Sequence, residues 1–172
     1  MILIADSSAL IALAICDGLK LLEPLYGEVL VPEAVYNEVA LSEKAESATL
    51  RDYLAEKVRS VDTSGFVYLD ASADLGETEA MLLYKQLNAD KLLIDDRRGL
   101  KIAKINNIHT IGSLGVLLVA KNKGLLAEVL PSLMKLNKSS IFISPDVGPV
   151  NTTCLIINFL LLLPYENNTA AV

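Results

Sequence analysis

The chain has 172 residues, 52% of them hydrophobic, and a mean hydropathy of +0.43. This length suits one domain with a substantial core, and because the charged residues (21%) are spread along most of the chain, the composition favours a buried core over a membrane protein. The net charge of −6 argues against a protein that coats nucleic acid by electrostatic attraction, but not against an enzyme that gathers carboxylates around divalent cations.

The sequence gives no sign of a membrane or secretory segment. No stretch before residue 150 is apolar for long enough to span a bilayer. The N-terminus lacks a basic region and Asp6 interrupts its apolar run, so we expect it to belong to the fold. Cys16 and Cys154 lie far apart in apolar runs, which favours a reduced protein. We therefore expect a cytoplasmic location and no membrane partner.

Strands and helices are predicted to alternate in the first half of the chain. Residues 2–5 form a continuous apolar run, typical of a strand buried on both faces. Ser7 or Ser8 is predicted to cap the next helix, and Pro32 to open another that runs to residue 41. The other elements expected here are a short helix at 19–26, a strand at 28–31, and a helix that starts at 42–46 and ends near residue 59.

The same alternation continues in the second half and favours an α/β fold with a mostly parallel sheet and helices on both faces. Residues 154–163 are almost wholly apolar but too short for a membrane span. We predict a domain at 1–145 and an apolar C-terminal extension of unknown role at 146–172. The strands expected here are 66–69, 91–94, 108–111 and 141–143, and the helices are 77–87, 98–106, one from 112–115 to 121, and 125–136.

Acidic residues recur where an open parallel sheet gathers functional groups, at the carboxyl ends of strands and on neighbouring helices. Taken singly, each acid also fits a structural role, as a helix cap or as a partner of the helix dipole. Their combination is more specific than any one of them. The acids concerned are Asp6, Glu38, Glu77, Glu79, Asp95 and Asp96.

A cluster of carboxylates points to hard divalent cations. Like charges at short range raise one another's pKa, and Mg²⁺ or Mn²⁺ with oxygen ligands relieves this repulsion. Bound metals can activate a water to attack a phosphodiester. Because His109 is the one histidine and the two cysteines are far apart, a zinc site is disfavoured.

Five segments, in order, resemble the motifs of the PIN-domain family. IADSSALIAL (4–13) is similar to the family's first strand and helix, and VPEAVYNEV (31–39) to its second motif. LGETEAMLL (75–83) and LLIDDRRGLKIA (92–103) resemble the third and fourth motifs. GSLGVLLVAKNKGL (112–125) is similar to a prokaryotic subfamily related to VapC toxins. The resemblance covers roughly residues 1–145.

This resemblance implies a three-layer α/β/α fold and an Mg²⁺- or Mn²⁺-dependent endoribonuclease, the toxin of a type II toxin–antitoxin pair. It also implies RNA as substrate, a homodimer and a small antitoxin protein as partner. The catalytic acids carried over are Asp6, Glu38, Glu77 and Asp95. Glu79 competes with Glu77 as a metal ligand, and Asp96 competes with Asp95. Typical members carry Asp at the third position, where this chain has Glu.

Three further residues are candidates for contact with the substrate. Ser7 follows the first Asp and is expected to touch the substrate phosphate or a metal-bound water, although a helix cap explains it equally well. Arg97 and Arg98, followed by Lys101 and Lys104, are expected to meet the RNA backbone, although such a run is often a solvated helix face.

Other function classes fit the sequence less well. The Glu in place of Asp at the third position motivates one alternative, a catalytically weak or inactive PIN-like module that binds RNA or protein. A response-regulator phosphoacceptor domain requires paired acids after its first strand, but Asp6 is followed by two serines. A haloacid-dehalogenase-type phosphatase requires a second Asp two residues after the first, but this chain has Ser8 at that position.

Overall fold

The computed structural model describes residues 1–64 and 74–139, which fall within one compact unit, Met1–Ser139. The strands predicted at 66–69 and 141–143 and the extension predicted at 146–172 lie outside the described residues. The domain boundary predicted at residue 145 lies outside them too and stays a prediction.

The described residues form a parallel five-stranded sheet, whose strands are β1 Ile2–Ala5, β2 Glu28–Pro32, β3 Val58–Arg59, β4 Lys91–Leu93 and β5 Thr110–Ile111. The strand order is β3-β2-β1-β4-β5. After β1, the chain adds β2 and β3 on one side of the sheet. It then crosses over and adds β4 and β5 on the other side of β1. The switch point of the topology therefore lies between β1 and β4, where open α/β sheets usually place functional groups.

Helices connect the strands and complete a three-layer α/β/α fold, as predicted. A 3₁₀ turn at Leu19–Leu21 precedes the helix Leu22–Tyr26, whose C-cap is Gly27, with the positive φ of 80° that glycine accommodates. The α-helices are α1 Ser7–Ile15, α2 Leu22–Tyr26, α3 Glu33–Ala40, α4 Ser47–Leu54, α5 Leu75–Gln86, α6 Arg97–Ile105, α7 Ser113–Asn122 and α8 Leu130–Lys138.

The core is continuous across the sheet because the central strands are buried on both faces. Ile4 and Leu92 pack in one cluster with Tyr84 of α5 and Ala103 of α6. Successive side chains of a strand point to opposite faces, so the fully buried Leu3 belongs to the other face. The continuous apolar run at residues 2–5 therefore reflects this two-sided burial.

Two predicted elements are wrong in their extent. The helix predicted from 42–46 to 59 forms as α4 only, and Val58–Arg59 is strand β3. The N–H of Val31 on β2 donates to the carbonyl of Lys57 at 3.0 Å, so pairing with the sheet outweighs the local helical pattern. The helix predicted at 125–136 begins only at Leu130, because Pro131 occupies its first turn.

The predicted cap of α1 is also wrong. Neither Ser7 nor Ser8 is the N-cap residue, because both already lie in the helix. Asp6 is the N-cap, and its side chain accepts a hydrogen bond from the backbone N–H of Ser8. The first acid of the candidate site is therefore also the residue that starts α1.

Candidate active site

Asp6 stands at the end of β1 and is almost completely buried, with 1% of its surface exposed. Its Oδ2 accepts two hydrogen bonds from Ser8, one from the hydroxyl at 2.7 Å and one from the backbone N–H at 3.3 Å. Its Oδ1 is buried and has no hydrogen-bond partner among the described residues. Burial raises the pKa of Asp6 to about 6, although the bonds from Ser8 act in the opposite direction.

Glu77 lies in the first turn of α5 and is also buried. Burial first, and then the negative charges of Asp74, Asp96 and Asp6, raise the pKa of Glu77 to about 8. A side-chain hydrogen bond joins Glu77 to Asp96. Asp6, Glu77 and Asp96 thus share one electrostatic environment at the switch point of the sheet.

Asp96 is the N-cap of α6. Its Oδ1 accepts hydrogen bonds from the backbone N–H groups of Arg98 at 2.7 Å and Gly99 at 3.0 Å. Burial acts to raise the pKa of Asp96, but these two bonds, the bond from Glu77 and the charge of Arg98 together hold it below its usual value. Asp96 is therefore the acid of this pair that keeps its negative charge.

Asp95 makes a different set of contacts. Its Oδ1 accepts a hydrogen bond of 2.8 Å from the backbone N–H of Ser113, the first residue of α7. Its own backbone N–H donates to the hydroxyl oxygen of Ser8 at 3.3 Å. Asp95 is thus connected to Asp6 through Ser8, whereas Asp96 is connected to Glu77. Both remain candidate ligands.

Glu77 and Glu79 point to different neighbours. Glu79 Oε2 accepts a hydrogen bond of 3.3 Å from the backbone N–H of Ala34, so it satisfies a donor in the first turn of α3. Glu77 instead interacts with the acids that follow β1 and β4. The structure therefore gives Glu79 a helix-capping contact and places Glu77 among the acids.

Glu38 approaches the same region from α3, where it is exposed. Glu38 Oε2 lies 3.3 Å, and Asp74 Oδ1 3.5 Å, from the point that a Cβ on Gly76 would occupy. The absence of a side chain on Gly76 allows both carboxylates to approach the start of α5. Glu38 and Asp74 therefore meet at Gly76, the residue that precedes Glu77 in the chain.

Sequence reasoning missed Asp74. Its Oδ1 accepts a hydrogen bond of 2.7 Å from the backbone N–H of Glu77, which makes Asp74 the N-cap of α5. Its charge raises the pKa of both Asp6 and Glu77. The signal was present in the sequence, because Asp74 and Glu77 have the spacing of a helix-capping box.

The three predicted substrate contacts lie near these acids. Ser7 is buried, and its backbone N–H lowers the pKa of Asp6. Arg97 and Arg98 are exposed in the first turn of α6. Arg98 is close enough for its charge to lower the pKa of Asp96. The two arginines therefore lie beside the acids.

The donor set fits the chemistry of a hard divalent cation. Asp6 Oδ1, which is buried and has no hydrogen-bond partner in the described part of the chain, lies in a group of acids that raise one another's pKa. A cation would bind the unpaired oxygen and reduce the repulsion between the acids. Within residues 1–64 and 74–139, however, no three His, Cys, Asp or Glu side chains already converge on one metal position. Binding of a cation would therefore require these carboxylates to move closer together.

The sequence matches a family model described as "PIN domain" over residues 2–149. The chain belongs to the PIN-domain family. PIN domains are generally nucleases and typically use divalent metals, so the family gives the chain a nuclease-type fold. No curated protein matches the chain. Across the part of this PIN domain that the structure describes, no helix is long and apolar enough to cross a membrane.

Proposed function

We propose that the protein is an Mg²⁺- or Mn²⁺-dependent endoribonuclease that hydrolyses RNA phosphodiester bonds. The observation that carries this proposal is Asp6. It is a buried carboxylate at the topological switch point of a PIN domain, and its Oδ1 has no hydrogen-bond partner within residues 1–64 and 74–139. Its charge, like that of Asp96, acts on Glu77. Burying a carboxylate oxygen without a partner is unfavourable for folding, whereas the same oxygen is well placed to bind a cation.

The roles that we propose for the acids follow from their contacts. Asp6, Glu38, Glu77 and Asp95 would hold the cation, with Asp96 as the alternative to Asp95. A bound cation supplies an activated water and stabilises charge on the phosphate. Glu79 is the weaker candidate because it already accepts a bond from the start of α3. Ser7, Arg97 and Arg98 are the proposed contacts of the RNA.

We also propose that this nuclease is the toxin of a type II toxin–antitoxin pair, a cytoplasmic homodimer held inactive by a small antitoxin. The support is the resemblance of residues 112–125 to the VapC-related subfamily. Residues 1–145 would form the nuclease domain and 146–172 an added extension. The net charge of −6 fits a partner with positive surface.

The proposal is tested by incubating the purified protein with a mixed RNA pool in Mg²⁺, in Mn²⁺ and in EDTA, beside Asp6→Asn. We expect cleavage that requires a metal and is lost in Asp6→Asn. Asp90→Asn is the matched control, because Asp90 lies just before β4, at the amino ends of the strands and away from the acids. Like Asp6, it accepts a backbone hydrogen bond, in this case from the N–H of Ile2 at 2.7 Å. Asp90→Asn is expected to cleave like the wild type.

The second candidate function is a catalytically weak or inactive PIN-like module that binds RNA or protein. The hydrogen bond between Glu77 and Asp96 favours it, because a shared proton already reduces the repulsion between these two acids without a cation. RNA left intact in every metal by folded, antitoxin-free protein would favour this candidate over the nuclease. Equal cleavage by wild type and Asp6→Asn would mean that the activity does not use the proposed site.

A further inference from the structure

Helix α6 carries an unusual concentration of positive charge for this chain. Its sequence, RRGLKIAKI, holds four of the chain's 15 Lys and Arg residues and contains no acid, whereas the whole chain has a net charge of −6. Local positive charge on an acidic protein is informative because it attracts polyanions to that part of the surface.

Three of these cations lie on the same exposed face of α6. Arg97, Lys101 and Lys104 fall within an arc of about 60°, given 3.6 residues per helical turn. All three are exposed, while Gly99 and Ala103 occupy the opposite, buried face. We call Arg97, Lys101 and Lys104 the basic stripe. It extends about 10 Å along the helix axis.

The basic stripe begins at the acids. Asp96 caps α6, and its Oδ1 accepts the backbone N–H of Gly99 at 3.0 Å. The point that a Cβ on Gly99 would occupy is 3.3 Å from Glu77 Oε1. The first turn of α6 therefore touches both Glu77 and Asp96, and the stripe leads away from them along the helix.

The outer part of the stripe is not used to stabilise the fold. In the described part of the chain, Lys101 and Lys104 form no ion pair, whereas Lys57, Arg59 and Lys135 pair with acids. Two exposed lysines that have no acidic partner among residues 1–64 and 74–139 are available to a ligand of opposite charge. Their spacing, close to one helical turn, suits an extended strand with one phosphate for each nucleotide.

We propose that the basic stripe binds the phosphate backbone of single-stranded RNA and guides the strand to the acids at the start of α6. This inference rests on the proposed ribonuclease function and names the surface that holds its substrate. The contacts are electrostatic, so the stripe adds affinity without sequence selectivity.

The test compares Lys101→Ala/Lys104→Ala with Lys44→Ala/Lys123→Ala, which removes two exposed positive charges from other parts of the surface. Fluorescence anisotropy with labelled oligouridine and oligoadenosine gives the Kd at several salt concentrations, in an Asp6→Asn background with Mg²⁺. We expect the stripe variant to raise the Kd for both RNAs about tenfold and to reduce the salt slope by about 1.4. The control pair is expected to change neither.

Three results would overturn the inference: an unchanged Kd and salt slope in the stripe variant, an equal loss in the control pair, or binding of oligoglutamate as tight as that of RNA. With Asp6 intact, the stripe variant is expected to raise the KM for cleavage and leave kcat unchanged. RNA binding that depends on the stripe, without any cleavage by the wild type, would refute the nuclease proposal alone. Cleavage with an unchanged KM in the stripe variant would refute the stripe alone.

Discussion

The hydroxyl of Ser8 donates a hydrogen bond of 2.7 Å to Oδ2 of Asp6, the buried acid at the end of β1. The same hydroxyl oxygen accepts the backbone N–H of Asp95 at 3.3 Å. One side chain therefore ties the carboxylate after β1 to the residue that follows β4. Because β1 and β4 are paired in parallel, this contact fixes Asp6 relative to both sides of the switch point.

Ser8→Ala should reduce both stability and activity. The variant removes a charge-assisted hydrogen bond from a buried carboxylate, which we expect to lower the free energy of unfolding at neutral pH by about 2 kcal/mol. Without the Ser8 hydroxyl, the pKa of Asp6 should rise further. Urea unfolding at neutral pH measures the first effect. Ser60→Ala, an exposed serine, is the control and should stay within about 0.5 kcal/mol of the wild type. A Ser8→Ala protein as stable as Ser60→Ala would refute this role.

Asp6→Asn should change how stability depends on pH. In the folded protein the pKa of Asp6 is raised from 3.8 to about 6, so its neutral form is favoured by folding. The stability that Asp6 contributes is complete below pH 3.8 and is lost as the pH rises through 6. This shift corresponds to about 3 kcal/mol. In EDTA, Asp6→Asn should therefore be more stable than the wild type above pH 7 by about this amount.

The measurement is urea unfolding of both proteins between pH 4 and pH 8. The difference between their free energies of unfolding should shrink towards zero as the pH falls from about 6 towards 3.8, the interval in which Asp6 is protonated in the folded protein but still ionised in the unfolded chain. Asp90→Asn provides the control, since Asp90 is exposed at the opposite edge of the sheet. A constant difference across the whole pH range would show that the burial of Asp6 does not determine its ionisation.

The sequence predicted the parts of the site that local patterns determine. Residues 2–5 are apolar because β1 is buried on both faces, and Asp6 necessarily ends that strand. The parallel pairing of β1 with β4 then brings the residues after β4 to the same edge. These steps need only periodicity and the rule that ligand sites form at the carboxyl ends of strands.

Features that depend on tertiary contacts could not be predicted from the sequence. Glu77 and Glu79 both lie on α5, and the contact of Glu79 with the N–H of Ala34 depends on how α3 packs against α5. Likewise, Val58–Arg59 is a strand because β2 offers it backbone partners, although the local pattern was helical. Asp74 differs from these cases, since its capping spacing with Glu77 was visible in the sequence.

Glu77→Gln and Glu79→Gln should separate the two candidates for the third acid. Glu77 interacts with Asp6 and Asp96, so its loss should reduce RNA cleavage on the order of a hundredfold, as expected when one charge-stabilising group is removed. Glu79→Gln retains an acceptor for the N–H of Ala34 and should keep nearly full activity. Single-turnover cleavage rates in Mg²⁺ give the comparison. A larger loss in Glu79→Gln would reverse the assignment.

Gly99→Ala should be destabilising, and a shorter side chain at position 94 should rescue it. A Cβ on Gly99 would overlap Ile94 Cδ1, so the fully buried Ile94 must shift, at a cost of about 2 kcal/mol. Ile94→Val removes that Cδ1 and alone should cost about 1 kcal/mol. The double variant should therefore be more stable than the sum of the two single effects by about 1 kcal/mol. Urea unfolding of the wild type, the two single variants and the double variant gives the four free energies of unfolding. If the two single effects simply add in the double variant, Gly99 is not required for the close approach of α6 to Ile94.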